Sequence, residues 1–230
     1  MTLATPSIDF AAVLASTVHD MKNSLCMLIQ STELIQQESR QLSEPARDEL
    51  ARLNYEANRL NSNLLQLLSL YRMERQRLPV QIDQHYIADI VEEILLKNQF
   101  YIEQRNFTIH VEQPEQLNWF FDYDLMLNML NDAVANALRY GDKEILLRFS
   151  QHADTLLIEV HDDGPGFPVF MLNSDEIDMN TPDLTGNHTG LGIFFAKLIA
   201  KAHTNKGQSG IVELANASRY GGGIFRVTLP

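Results

Sequence analysis

The sequence predicts an α+β protein in which a helical hairpin, paired with a second copy as a dimeric four-helix bundle, precedes an α/β sandwich. Three observations carry that expectation. Two apolar heptad seams run through residues 8–75, alternating strand and helix patterns follow Pro79, and a charged stretch ending in that proline separates them. The expected organisation is a helical hairpin over 1–75, a hinge over 76–79 and an α/β domain over 80–230.

In the first seam Leu14, Val18, Met21, Leu25, Leu28, Thr32 and Ile35 recur at alternating spacings of four and three, with Thr32 the polar member. After a break around Gln41–Pro45, a second seam takes up the same alternation at Leu50, Leu53, Ala57, Leu60, Leu64, Leu67 and Tyr71. Glu44 and Asp48 bracket Pro45, a combination that suits a helix N-terminus. Two such helices on a short loop make an antiparallel hairpin. Phe10, Leu34, Leu65 and Leu68 widen the stripes beyond a two-helix seam, which a symmetric four-helix dimer would bury. The alternative is one hairpin folded against its own C-terminal domain.

Beyond the hinge, strands are expected near Val80–Asp83, Phe107–Glu112, Leu117–Phe121, Glu144–Ser150, Leu156–Asp162, Gly210–Asn216 and Ile224–Leu229. Helices are expected near Tyr86–Gln104, Tyr123–Arg139 and Leu191–His203. That order suggests helices on one face of a mixed sheet. Residues 168–188 have few regular apolar positions, as in a functional lid or a disordered segment.

With 45% hydrophobic and 21% charged residues in a chain of 230, there is ample material for a buried core. A formal net charge of −12 opposes phosphate backbones and anionic lipid, so neither nucleic acid nor a membrane surface is an expected partner. The single cysteine, Cys26, excludes an internal disulfide, and no Cys/His group has zinc spacing. No apolar run approaches the about 20 residues of a membrane helix and no secretory leader opens the sequence, so the expected location is the cytoplasm.

Three segments carry candidate chemistry. Asp162-Asp163-Gly164-Pro165-Gly166 directly follows an expected strand. Alone it reads as a plain turn; its functional reading is a carboxylate at a strand end beside backbone bare enough for a ligand to pack closely. A carboxylate accepts hydrogen bonds and donates none, so it would suit the exocyclic amine of adenine and leave the carbonyl of guanine unpaired, a difference of ~1.5–3 kcal/mol. Gly190-Leu191-Gly192 opens an expected helix, where free N–H groups and the positive dipole end can hold an anion; the bland reading is a loop-to-helix joint. Asn136 and Asp132 lie one turn apart and share a helix face. They could hold magnesium while the metal bridges phosphates, or simply form a solvated polar stripe. The segments gain meaning together.

Taken with His19-Asp20-Met21-Lys22-Asn23, they resemble the motifs of bacterial two-component sensor histidine kinases. The His19 segment is similar to the H box, and Asn136-Ala137-Leu138-Arg139-Tyr140 to the end of the N box. Asp162 to Gly166 is similar to the first glycine box, Gly190-Leu191-Gly192 to the core of the second, and Gly221-Gly222-Gly223 to the final glycine turn. The order is that of the family, and the motifs cover nearly the whole chain. The resemblance implies a dimerisation and phosphotransfer stem followed by a GHKL-type ATP-binding domain, with ATP and Mg2+ as cofactors.

The same resemblance implies that His19 is autophosphorylated, that Asp20 orients the ring or takes its proton, and that the phosphoryl group passes to an aspartate on a response-regulator receiver domain. Asn23 would place a water for dephosphorylating that regulator. Arg139 and Tyr140 would line the nucleotide pocket with Asn136, Asp162, Gly164, Gly166, Gly190, Leu191 and Gly192. Heptad placement agrees on one point: His19 follows seam residue Val18, at the edge of the apolar stripe and open to other domains.

Several positions depart from the family pattern. Asp132 stands where asparagine is common, His188 replaces the first glycine of the second box, and Ser24 replaces a proline that would kink the helix. No clear F box is present, with Phe167 and Phe170 as candidate lid anchors. A second reading is therefore a histidine phosphotransfer protein or regulator phosphatase with a weak or idle ATP domain. A third is a scaffold that senses a partner through the stem. No sensory domain fits in the sequence, so the input is expected from a separate sensory protein, among other sources.

Overall fold

The structure, a computed structural model, describes residues 10–38, 43–75, 80–172 and 191–230. The chain divides into two compact units, Met1–Arg77 and Leu78–Pro230. The expected hinge at 76–79 lies outside the described residues.

In the first unit α1 (Phe10–Glu38) packs against α2 (Glu44–Arg75). The carbonyl of Ser43 accepts from the N–H groups of Ala46 and Arg47 at 3.0 and 3.1 Å, starting α2. Pro45 falls in that first turn, where a missing N–H costs no helical bond. α1 runs unbroken past Ser24, whose hydroxyl donates to the carbonyl of Asp20 at 3.0 Å. Val18, Thr32, Leu50, Ala51 and Ala57 are buried. The hydroxyl of Thr32 donates to the carbonyl of Ile29 at 2.7 Å and accepts from the Asn54 amide at 3.0 Å, so the polar seam member ties α1 to α2. The intervening seam positions behave differently: Met21, Leu28, Ile35, Leu53 and Leu60 are between 48% and 52% exposed within one chain.

The second unit runs β1 (Asp83–Tyr86), α3 (Ile87–Arg105), β2 (Thr108–Glu112), β3 (Asn118–Phe121), α4 (Tyr123–Tyr140), β4 (Glu144–His152) and β5 (Thr155–Asp162). It continues through α5 (Val169–Leu172), α6 (Leu191–Ala202), β6 (Thr204–Asn205), β7 (Gln208–Ser209), β8 (Ile211–Asn216) and β9 (Gly223–Leu229). Five strands form a mixed sheet in the order β2-β4-β5-β9-β8, parallel between β2 and β4 and antiparallel elsewhere. Alternate residues of its strands, among them Leu147, Ile158, Val160 and Val227, share one core with Ile90 and Ile94 of α3, Leu130 and Val134 of α4, and Phe195 and Ile199 of α6. On the remaining positions Arg226 grips the buried carboxylate of Glu159 through Nε and Nη2 at 2.9 and 2.8 Å. This is the α+β arrangement anticipated from the sequence, helices against a mixed sheet.

Three local features differ from expectation. The first strand lies at Asp83–Tyr86, not Val80–Asp83, because it pairs only with β3, from Asp83 opposite Phe121 to Tyr86 opposite Asn118. Upstream, the N–H of Gln81 bonds instead to the carboxylate of Asp122 at 2.8 Å. The short helix α5 and the β6–β7 hairpin were not anticipated; elements of four and two residues are too short to show a period.

Candidate functional site

Strand β5 delivers Asp162 to the end of the sheet, where the residue opposite it on β4 is Ile145. One carboxylate oxygen, Oδ1, accepts the N–H of Gly164 at 2.8 Å and that of Gly223 at 3.0 Å. Among the described residues Oδ2 accepts no hydrogen bond. Burial pushes the pKa of Asp162 up; the two backbone N–H groups pull against it and do not cancel it. A fixed carboxylate with one oxygen uncommitted is a receptor for a donor.

Asp163 is used differently. Its Oδ1 accepts the N–H of Asp142 at 2.7 Å, and its Oδ2 accepts those of Lys143 and Glu144 at 2.8 and 2.9 Å. Burial would raise its pKa, but these backbone donors outweigh burial and hold it below the usual carboxylate range. Asp163 thus pins the turn between α4 and β4. The sequence reading assigned it no role, and the aspartate pair by itself carries no signal that the second member faces inward to the chain.

The glycines around Asp162 require a corrected reason. A Cβ on Gly164 would collide with the backbone carbonyl of Tyr140, and one on Gly222 would stand 2.6 Å from both the Asp162 carbonyl and the Gly164 nitrogen. A Cβ on Gly166 would meet the side-chain amide of Asn216 at 2.6 Å. That amide clasps Phe167, accepting its N–H at 2.7 Å and donating to its carbonyl at 2.9 Å. The space at Gly164 and Gly166, attributed from sequence to close approach of a ligand, is taken by the chain itself. Phe167 is partly buried against the core, whereas Phe170 is 61% exposed.

Helix α4 supplies the second wall. Asp122 caps its start, accepting the N–H of Leu125 at 3.0 Å through Oδ1. Met126, Leu130, Ala133, Val134, Ala137 and Leu138 face the core, which leaves Asp132 half-buried and Asn136 exposed, one turn apart. The guanidinium of Arg139 lies 5.1 Å from the centre of the Tyr140 ring. Because the Tyr140 carbonyl meets Gly164 and Asp163 holds the turn after α4, the end of α4 and the Asp162–Gly166 segment form one corner. Leu191 and Gly192 lie in the first turn of α6, which packs against α4, β8 and β9.

The unit that carries this corner is also the part of the chain that a known family matches. Residues 121–230 match the family of histidine kinase-, DNA gyrase B-, and HSP90-like ATPases. The chain is 26% identical over 227 residues to the sensor protein kinase PilS of Pseudomonas aeruginosa, covering 93% of this chain and 39% of that protein. It is 24% identical over 197 residues to the sensor protein SrrB of Staphylococcus aureus, covering 83% and 34%. This chain is a relative of the two-component sensor histidine kinases, with a GHKL-type ATPase domain. It spans well under half the length of those relatives. In fold it is similar to the histidine kinase AdeS of Acinetobacter baumannii, with a TM-score of 0.58 and 18% identity over 90% of this chain and 95% of that one. It is also similar to full-length ShkA in complex with AMPPNP, with a TM-score of 0.61 and 16% identity over 95% of this chain and 45% of that one.

In the ATPase domain, then, Asp162, Gly164 and Gly166 share a corner with the end of α4 that carries Asn136, Arg139 and Tyr140. Gly190 and His188 lie outside the described residues. His19, Asp20 and Asn23 all lie on α1 in the other unit; Asp20 and Asn23 are exposed, and the side chain of His19 is outside the described ones. Among the described residues no cluster of three or more His, Cys, Asp or Glu side chains could hold a metal ion. Asp132 and Asn136 would suit magnesium only with phosphate oxygens and water completing its shell, which is how that ion is ordinarily held. Among the described residues no helix is long and apolar enough to cross a membrane.

Proposed function

We propose that this chain is a protein-histidine kinase that autophosphorylates His19 from Mg-ATP and passes the phosphoryl group to an aspartate on a response-regulator receiver domain. The observation that carries the reading is Asp162, a half-buried carboxylate with Oδ1 fixed by two backbone N–H groups and Oδ2 uncommitted at a sheet end. That oxygen would accept the 6-amino group of adenine. Asp132 and Asn136 would hold magnesium, which when bound neutralises phosphate charge. The N–H groups at Leu191 and Gly192, with Gly190 before them, would take phosphate oxygens at the start of α6. Arg139 and Tyr140 would flank the nucleotide.

In the transfer, an imidazole nitrogen of His19 forms a bond to the γ-phosphorus as the bond to the ADP oxygen breaks, and Asp20 takes the ring proton. An imidazole is largely unprotonated near neutral pH, with an ordinary pKa of about 6.5, so it can act without strong activation. Asn23, one turn beyond His19, would orient a water for removing phosphate from the regulator. The stem works as a homodimer, supported by the half-exposed seam residues of α1 and α2. The formal net charge of −12 disfavours nucleic acid and anionic lipid as partners.

The test is incubation of the purified protein with γ-labelled ATP and magnesium. The wild type becomes labelled, His19→Ala does not, and the labelled protein discharges onto a receiver domain from a panel of regulators. A wild type that binds ATP and never labels would overturn the kinase reading.

A further inference from the structure

Ser218 belongs to none of the motifs above, yet it stands directly behind Asp162. It sits in the loop between β8 and β9 and is buried. Its hydroxyl donates to the carbonyl of Asp162 and accepts the N–H groups of Tyr220 and Gly222 at 3.1 and 3.0 Å. The Ser218 N–H donates to the carbonyl of Gly222 at 3.0 Å, and the Ser218 carbonyl accepts the N–H of Gly221 at 2.9 Å. One side chain therefore ties the end of β5 to the start of β9. The next residue, Gly223, supplies one of the two N–H groups that hold Oδ1 of Asp162.

The orientation of that carboxylate depends on two loops arriving in register. Gly164 belongs to the Asp162 turn itself and follows it automatically. Gly223 arrives from a separate loop, and the Gly222 turn that carries it lies too close to the Asp162 carbonyl for any side chain. Without the Ser218 hydroxyl, the Gly222 N–H would keep only its 3.2 Å bond to the Asp162 carbonyl. The loop could then drift, Oδ1 would lose one donor, and the carboxylate could turn.

We infer that Ser218 is a positioning residue for base selection: by clamping the Gly221–Gly223 turn onto Asp162 it fixes the direction in which the free carboxylate oxygen meets the ligand, and so strengthens the preference for a 6-amino purine over a 6-oxo purine. This rests on the nucleotide reading above and extends it to a residue that never touches the base. A purely structural serine would lower stability and weaken all nucleotides alike. A positioning serine changes their ratio.

The experiment is equilibrium binding of ATP and of ITP, in which a 6-oxo group replaces the amine, to the full chain and to variants at Ser218. One charge-assisted hydrogen bond gives the wild type at least about a tenfold preference for ATP. Ser218→Ala narrows that preference to about threefold or less, and Ser218→Thr, which keeps the hydroxyl, restores it. If the alanine variant does not fold, Ser218→Cys keeps the volume with a weak donor and shows the same narrowing. A lowered melting temperature with an unchanged ATP/ITP ratio overturns the role of Ser218 and leaves the nucleotide reading standing. A wild type that binds neither nucleotide, or both equally, overturns that reading and this inference with it.

Discussion

Asp162 and Asp163 are neighbours in sequence with opposite electrostatics. Burial pushes Asp162 up, while three N–H groups from the turn at 142–144 hold Asp163 down. Their substitutions should separate accordingly. Asp162→Asn offers an amide donor to a 6-oxo group, so ATP affinity falls about tenfold or more while ITP gains relative to it, read by equilibrium titration. Asp163→Asn sets an amide N–H against a backbone N–H at Lys143 and Glu144. The expected cost is ~1–3 kcal/mol in urea unfolding, with the ATP/ITP preference intact. The sequence made Asp162 legible as a candidate, because a carboxylate at a strand end before two glycines is visible as a pattern. It could not divide the work between the two aspartates, since the partners of Asp163 come from a turn some twenty residues upstream. Ser218 was invisible for the same reason: its bond reaches back to Asp162 over a separation of 56 residues.

At the level of elements, α6 ends on a buried histidine that joins it to the start of α4. Nε2 of His203 accepts the N–H of Asp122 at 3.0 Å, which leaves the ring proton on Nδ1, donated to the carbonyl of Ile199 at 2.7 Å. This arrangement needs the neutral ring. Burial drives the pKa of His203 below its ordinary value, against smaller upward pulls from the Ile199 carbonyl and Asp122. Because the folded pKa lies below the unfolded one, this stability is complete above about pH 6.5 and is lost as the pH falls through the lowered folded value. His161 is depressed as well, chiefly by burial, with Glu159 pulling it up and Arg148 and Arg226 pushing it down. The urea midpoint of the ATPase domain should therefore fall from about pH 7.5 to about pH 5. His203→Gln should lower the midpoint at neutral pH and flatten the slope. Helices α3, α4 and α6 were readable because each is long enough to repeat its apolar face. β1 was displaced by a few residues because Val80 and Ile82 imitate a strand, whereas its real register is set by pairing with β3.

At the level of the molecule, the two halves of each heptad seam have different surroundings. Val18 and Thr32 of α1 and Leu50 and Ala57 of α2 are buried inside the hairpin. Met21, Leu28, Ile35, Leu53 and Leu60 alternate with them and keep about half their surface in water, joined by Leu34 at 57%. Leaving a row of such side chains exposed is costly, since fully burying one Leu or Ile is worth ~1.5–3 kcal/mol. A second copy of the hairpin would offer the same row in return, and a two-fold axis would close a four-helix bundle. The chain should accordingly sediment as a dimer, and Leu28→Glu combined with Leu60→Glu should convert it to a monomer by placing two charges per chain in that seam. ATP affinity should not change in this variant, because the ATPase domain has its own apolar core. Charge supplies an independent check: each copy carries a formal net charge of −12, so bringing two together works against long-range repulsion. Salt screens that repulsion over about 10 Å at 0.1 M and leaves apolar burial in place, so dimer dissociation constants measured by sedimentation should fall as salt rises. A dimer held mainly by ion pairs would show the opposite trend.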